Sequence, residues 1–337
     1  MLRFNRIAAA AVAVLGVGFA GAASAKELVI GTIGITGDTF QLSTAWSNAL
    51  IKQGGPLRLT PVDGRGTNNL LRMVATNRAD LGFIGSPHFQ DALSRTGAFQ
   101  KEPEDVVERY KNLRVLFAIP TGMGQYVVRD DSGIRTFADM KGKSIAFGTP
   151  GGNAGRVSTI LFQAHGLDAT KGDIDGRYIE ANTAFDQLSN GQINATIAWG
   201  GMPQSGVFNV SRSHKLRFIS PEPEKFDAFK SNVTNGQFYV FRKFEPAQVT
   251  AAYGDHVVAD GPVYFWTFPM MVMVRADMPD DEAYALTKAV WDNIETITKE
   301  NVQLSLMSFD NALEQLSAQV HPGARKYFEE KGVAVPK

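Results

Sequence analysis

The chain has 337 residues with 44% hydrophobic content, enough for two ordinary domains with real cores, and its 34 basic residues balance 34 acidic ones. That neutral field argues against a polyanionic partner such as nucleic acid. The sequence contains no cysteine, which excludes disulfides, a thiol nucleophile and an N-terminal lipidated cysteine.

The first elements give an address. Leu2-Arg3-Phe4-Asn5-Arg6 is basic, Ile7 to Ala20 is apolar, and Ala23-Ser24-Ala25 has the small-x-small pattern, so residues 1–25 are expected to be a signal peptide cut after Ala25. The apolar run is short for a membrane anchor, which needs about 20 residues. The expected product is a soluble periplasmic protein of a Gram-negative cell.

From Lys26 onward, short apolar runs alternate with amphipathic ones, as in βαβ units. ELVIGTIG predicts a strand, TFQLSTAWSNALIKQG a helix and LRLTPVDG a strand. TNNLLRMVATNRA follows as a helix with Thr67 or Asn68 at its N-cap, then DLGFIGSP as a strand. The second half repeats the plan: SIAFGTP, INATIAWGGMP and GRYIEAN as strands, AGRVSTILFQAHG and TAFDQLSNG as helices. Further on, PVYFWTFP alternates like a strand, FPMMVMVR reads as another, and DMPDDE opens a long helical stretch.

The β-like connections LRVLFAIPTGMGQYVVRDDSG and LRFISPEPEKF bracket the second half. They predict a two-lobed α/β protein with an open sheet in each lobe and a two-strand hinge suited to closing on a ligand. The expected parts are 26–125 as the first part of lobe 1, 126–217 as lobe 2 and 218–337 as the return to lobe 1. Ligands of open α/β sheets sit beyond the carboxyl ends of strands. Here those ends are Gly31 to Asp38, Gly64 to Asn69, Gly85 to His88, Gly148 to Arg156, Asn182 to Thr183 and Gly200 to Pro203.

Nucleotide chemistry is not indicated. The only Gly-Lys-Ser, at 142–144, has Phe137 where a P-loop needs its first glycine, and Gly31, Gly34 and Gly37 follow G-x-x-G-x-x-G rather than the dinucleotide spacing. There is no G-x-S-x-G elbow. His88, His165, His214, His256 and His321 are scattered without metal-ligand spacing, so neither a metal nor a cofactor is expected. What remains is anion capture by backbone: in SIAFGTPGGNAGRVS a strand ends in glycines before a helix, whose free N–H groups carry partial positive charge.

The order of motifs resembles the TAXI-type (TRAP-associated extracytoplasmic immunogenic) solute-binding subunits of tripartite ATP-independent periplasmic transporters. The resemblance rests on IGTIGITGDTF, NLLRMVATNRADLGFI, GAF at 97–99, DSGIRTFADMKGKSIAFGTPGGNAG, GQINATIAWGGMP and the terminal HPGARKYFEEKG, and so covers nearly the whole mature chain. It implies a type II periplasmic binding-protein fold and no enzymatic activity. It also implies a fused membrane partner driven by an ion gradient and a small ligand such as a glutamate-like amino acid or an organic acid. The sequence departs from the family at Thr36-Gly37-Asp38-Thr39-Phe40, at Gly66 before Asn69, and at Ser86-Pro87-His88.

The candidate ligand-binding residues follow. Gly151, Gly152, Asn153 and Ala154 offer backbone N–H groups to a carboxylate, and Arg156, a cation in the first helical turn, has an unfavourable dipole that a bound anion would offset. Asp38 either caps its helix or accepts from the ligand, with Gly37, Thr39 and Phe40 beside it. Asn68 and Asn69 either cap or reach the cleft. Ser86 and His88 follow a strand end. Trp199, ahead of Gly200 and Gly201, packs on the ligand or fills the core, and Tyr264 reaches toward the cleft. The expected assembly is a monomer delivering a small carboxylate to a TRAP-type permease. A sensor subunit presenting its ligand to a membrane receptor is the alternative, and an enzyme of this fold would have only Asp38 or His88 as base.

Overall fold

The computed structural model describes residues 25–33, 38–120, 122–301 and 304–336. The expected signal segment, 1–25, lies outside them except for Ala25, and so do Thr36 and Gly37.

The chain opens with β1 (Lys26–Thr32), α1 (Asp38–Lys52), β2 (Leu57–Asp63), α2 (Thr67–Ala75), β3 (Leu81–Gly85), α3 (Ser86–Leu93), α4 (Glu104–Lys111) and β4 (Leu113–Ile119). It continues with β5 (Met123–Arg129), β6 (Ser144–Ala146), α5 (Asn153–Ala164), β7 (Asp175–Arg177), α6 (Ala181–Ser189), β8 (Ala195–Gly200), α7 (Ser205–Ser211) and β9 (Leu216–Ile219). Then come α8 (Phe226–Asn232), β10 (Val240–Phe244), α9 (Pro246–Tyr253), β11 (Val257–Val258) and β12 (Val263–Thr267). The last elements are β13 (Met270–Arg275), α10 (Asp280–Trp291), α11 (Ile294–Glu300) and α12 (Pro322–Glu330).

Apolar spacing explains the local choices. In α2 the residues Leu70, Leu71, Val74 and Ala75 share one buried face, and β3 and the first five residues of β13 are buried on both sides. The first sheet has the order β2-β1-β3-β13-β4, with β1 parallel to β2 and β3, and β13 antiparallel to both of its neighbours. The second runs β10-β12-β5-β8-β6-β7, with β9 joining β5 to β11. The protein is therefore two-lobed α/β with an open mixed sheet in each lobe, as the alternation of runs predicts.

The lobe boundary needs correction. Residues 218–267 do not return to the first lobe: β9 pairs with β5, β10 with β12, and β12 with β5 through Trp266 and Gly124. The second lobe thus begins at Met123 and includes β12. LRFI, expected as a connection, is β9, a buried strand inside the second sheet. Two crossings join the lobes, one between Ile119 and Met123 and the other between Thr267 and Met270. They are tied where the Thr267 hydroxyl donates to the Gly122 carbonyl at 2.6 Å.

The helices that follow cover the first lobe, with Trp46 Nε1 donating to the Leu286 carbonyl at 3.0 Å. Among the described residues no helix is long and apolar enough to cross a membrane.

Candidate functional site

The lobe 1 side of the cleft is built on the end of β3. Gly85 precedes α3, and a Cβ there would lie 2.5 Å from the Phe268 ring and 2.6 Å from His88 Nδ1, so only glycine lets these rings close over the strand end. His88 is 6% exposed and meets Phe268 edge-on, 5.1 Å between centroids. Its Nδ1 has no hydrogen-bond partner among the described residues. Burial, reinforced by the positive charge of Arg156, pushes its pKa down to about 3, so the ring is neutral at physiological pH.

Asp91 lies one turn further along α3 and is 8% exposed. Its Oδ1 accepts from Thr96 Oγ1 at 3.0 Å and from Asn235 Nδ2 at 2.8 Å. Burial raises its pKa against the opposing pulls of Thr96, Arg156 and Asn235.

The lobe 2 side is the start of α5. Gly148 and Gly151 have φ of 94° and 70°, left-handed backbone that carries the chain round to Gly152, the N-cap. No side chain caps this helix, and a Cβ on Gly151 would meet only open space. Arg156 Nη2 donates to Asn153 Oδ1 at 2.8 Å and to the Tyr239 hydroxyl at 3.3 Å. Buried Arg217 and part-buried Arg72 and Arg242 are each paired with a carboxylate. Among the described residues Arg156 has none within ion-pair distance, although its charge is felt by both His88 and Asp91. Tyr239 is fully buried, and burial pushes its pKa up to about 12. Its hydroxyl is therefore protonated, accepting from Arg156 with its own hydrogen left to donate.

Aromatic rings fill the junction. Phe268, in the second crossing, stacks on Trp199 at 5.5 Å and touches Tyr239 at 5.7 Å. Gly122 in the first crossing has φ of 70°, and a Cβ there would be 2.6 Å from the Trp199 ring.

The structure thus brings together His88, Gly151, Gly152, Asn153, Arg156 and Trp199 around one interlobe junction. Ala154 packs inward beneath Gly148, their Cβ positions 3.4 Å apart. Ser86 is fully buried and donates to the Gln315 carbonyl, while the carbonyls of Gly200 and Gly201 accept from Gln125 Nε2 at 2.9 and 3.1 Å. Thr39 Oγ1 accepts from the Ile33 N–H at 2.9 Å, and Asp38 Oδ1 accepts from the Thr39 N–H beside half-buried Phe40. Gly37 lies outside the described residues.

Neither Thr67 nor Asn68 is the N-cap of α2; that position is Gly66, because Thr67 uses its hydroxyl to accept from the Gly85 N–H at 3.2 Å. Asn69 donates to the Gly64 carbonyl, and the buried Asn68 Oδ1 has no partner among the described residues. Tyr264 packs against Phe226 at 5.4 Å and its N–H donates to Ser220 Oγ, three residues before the crossing.

Sequence reasoning missed Asp91, Asn235, Tyr239 and Phe268. Only the Asn235-Gly236 turn dipeptide carried a local signal. Chemically the junction offers a guanidinium, a phenol, an amide and uncapped helix N–H groups, which suits an oxyanion. Among the described residues no three His, Asp or Glu side chains cluster as metal ligands.

Among solved structures, the chain is similar to the alkanesulfonate-binding protein SsuA of Xanthomonas axonopodis pv. citri bound to MOPS (15% identity, 91% of this chain and 85% of that one, TM-score 0.44). It is also similar to a TRAP periplasmic solute-binding protein of Marinobacter aquaeolei VT8 in an apo open form (13%, 90% and 91%, 0.45). A third is the second substrate-binding domain of a putative amino acid ABC transporter of Streptococcus pneumoniae (12%, 83% and 99%, 0.45). Residues 30–332 match the NMT1-like family, which is most of the chain, and the protein belongs to that family.

Proposed function

We propose that the protein is a periplasmic solute-binding protein that closes its two lobes on a small organic anion. The observation that carries this reading is Arg156: a guanidinium at the interlobe junction, bonded to Asn153 and Tyr239, with no carboxylate partner among the described residues. A ligand carboxylate would supply that missing charge, received also by the open start of α5 and by the Tyr239 hydroxyl. The neutral His88 ring adds no competing charge, and Trp199 with Phe268 forms an apolar wall for the ligand's carbon skeleton. The chain is proposed to be a monomer that releases its ligand to a TRAP-type permease without chemical turnover, in line with the sequence motifs shared with TAXI-type subunits.

The test is calorimetric titration with L-glutamate, other small amino and organic acids, and short alkanesulfonates, on wild type and Arg156→Ala. A carboxylate is expected to bind the wild type, and the variant is expected to lose about 2–3 kcal/mol of affinity, as for a charge-assisted pair in a desolvated site. Unchanged affinity in Arg156→Ala would overturn the site, whereas binding of a sulfonate alone would keep the site and change the ligand class.

A further inference from the structure

Resting on that reading, we propose that Asn235 ties lobe closure to the anion site, as a positioning residue that never touches the ligand. Asn235 belongs to the second lobe, in the short segment between α8 and β10. Its Nδ2 reaches the first lobe, donating to Asp91 Oδ1 at 2.8 Å and toward the Pro87 carbonyl at 3.3 Å. Both acceptors lie on α3, the helix that carries His88. Four residues later on the same segment, Tyr239 accepts from Arg156 at 3.3 Å. One short segment therefore holds the anion-binding guanidinium at one end and the opposite lobe at the other.

That segment is built to be stiff. Asn235 has φ of 58°, a left-handed conformation that asparagine tolerates, and a Cβ on Gly236 would lie 1.8 Å from the Lys230 carbonyl oxygen, so only glycine turns there. Tyr239 is wedged among Phe229, Trp266 and Phe268. A displacement of Arg156 is therefore passed to the Asn235–Asp91 contact rather than absorbed between them. The contact is a hydrogen bond to the Asp91 carboxyl group, which is 8% exposed.

Because the chain has no cysteine, Lys101→Cys on the first lobe and Lys171→Cys on the second, both exposed, give a unique dye pair for interlobe distance. Asn235→Gly keeps the left-handed turn and removes the amide, while Asn235→Asp sets a second carboxylate against Asp91. In the ligand-free protein both variants are expected to lengthen and broaden the interlobe distance, Asn235→Asp the more, with little change in thermal midpoint. With L-glutamate as probe, Asn235→Gly is expected to speed release about tenfold with association unchanged, which is about 1.4 kcal/mol. Wild-type distances in both variants would overturn the proposal whether or not L-glutamate binds, and so would a loss of thermal stability without a change in distance. Failure of the wild type to bind L-glutamate would count against the ligand class alone, since the ligand-free distances decide the role of Asn235 separately.

Discussion

A histidine folded back on a glycine and covered by a phenylalanine ring has to stay neutral to stay buried. His88 titrates near 3 in the folded chain against about 6.5 when unfolded, so between those values the unfolded state binds one more proton. Stability rises with pH across that window, so as pH falls from about 6.5 toward 3 this one residue progressively destabilises the fold. In urea denaturation at pH 4, 5, 6 and 7, His88→Gln should lose that share of the acid sensitivity. Parallel wild-type and variant curves would show that the imidazole charges without cost. Sequence reasoning singled out Arg156 because a cation near the start of a helix opposes the dipole, and its bonds to Asn153 and Tyr239 place it at the interlobe junction, where its part in anion binding is the proposal tested by Arg156→Ala. Asp91, Asn235 and Tyr239 were not legible, because each is ordinary locally and takes its role from a partner at least 80 residues away in sequence.

At the scale of elements, the terminal HPGA motif has a packing explanation. His321 caps α12, its Nδ1 accepting from the Gly323 N–H at 3.2 Å while the other ring nitrogen pairs with the Met278 carbonyl at 3.0 Å. A Cβ on Gly323 would lie 2.0 Å from the Asp280 carbonyl oxygen and 2.9 Å from the Tyr284 nitrogen, so α12 meets the start of α10 backbone to backbone. Backbone cannot swing aside as a flexible side chain can. Gly323→Ala should therefore cost about 2–4 kcal/mol, as overpacking does when relaxation is blocked. A chemical-denaturation midpoint within error of wild type would show that the two helices can part. The βα alternation itself was legible because helices such as α1 and α2 show their apolar face within 15 and 9 residues. The lobe boundary was not: whether β9 through β12 join the first or the second sheet depends on strand pairing, which leaves no local trace in apolar periodicity.

The same pairing decides how the whole molecule should unfold. Two lobes joined by two crossings could melt separately, yet one apolar cluster runs from Leu28 and Phe117 in the first lobe, through Phe268 and Met270, to Tyr126, Phe137 and Trp266 in the second. Separate unfolding of either lobe would expose the shared part of that cluster, at about 25 cal/mol for each Å² of apolar surface. Coupling of this kind favours one transition, and differential scanning calorimetry should give a single peak whose van't Hoff and calorimetric enthalpies agree. Phe268 is one link in that coupling, since its ring touches His88 of the first lobe and Trp199 and Tyr239 of the second. Phe268→Ala should cost about 3–5 kcal/mol and divide the peak in two. Two peaks in the wild type would mean that the lobes are held together by their crossings and not by a common core, and hinge closure would then need a source of cooperativity other than packing.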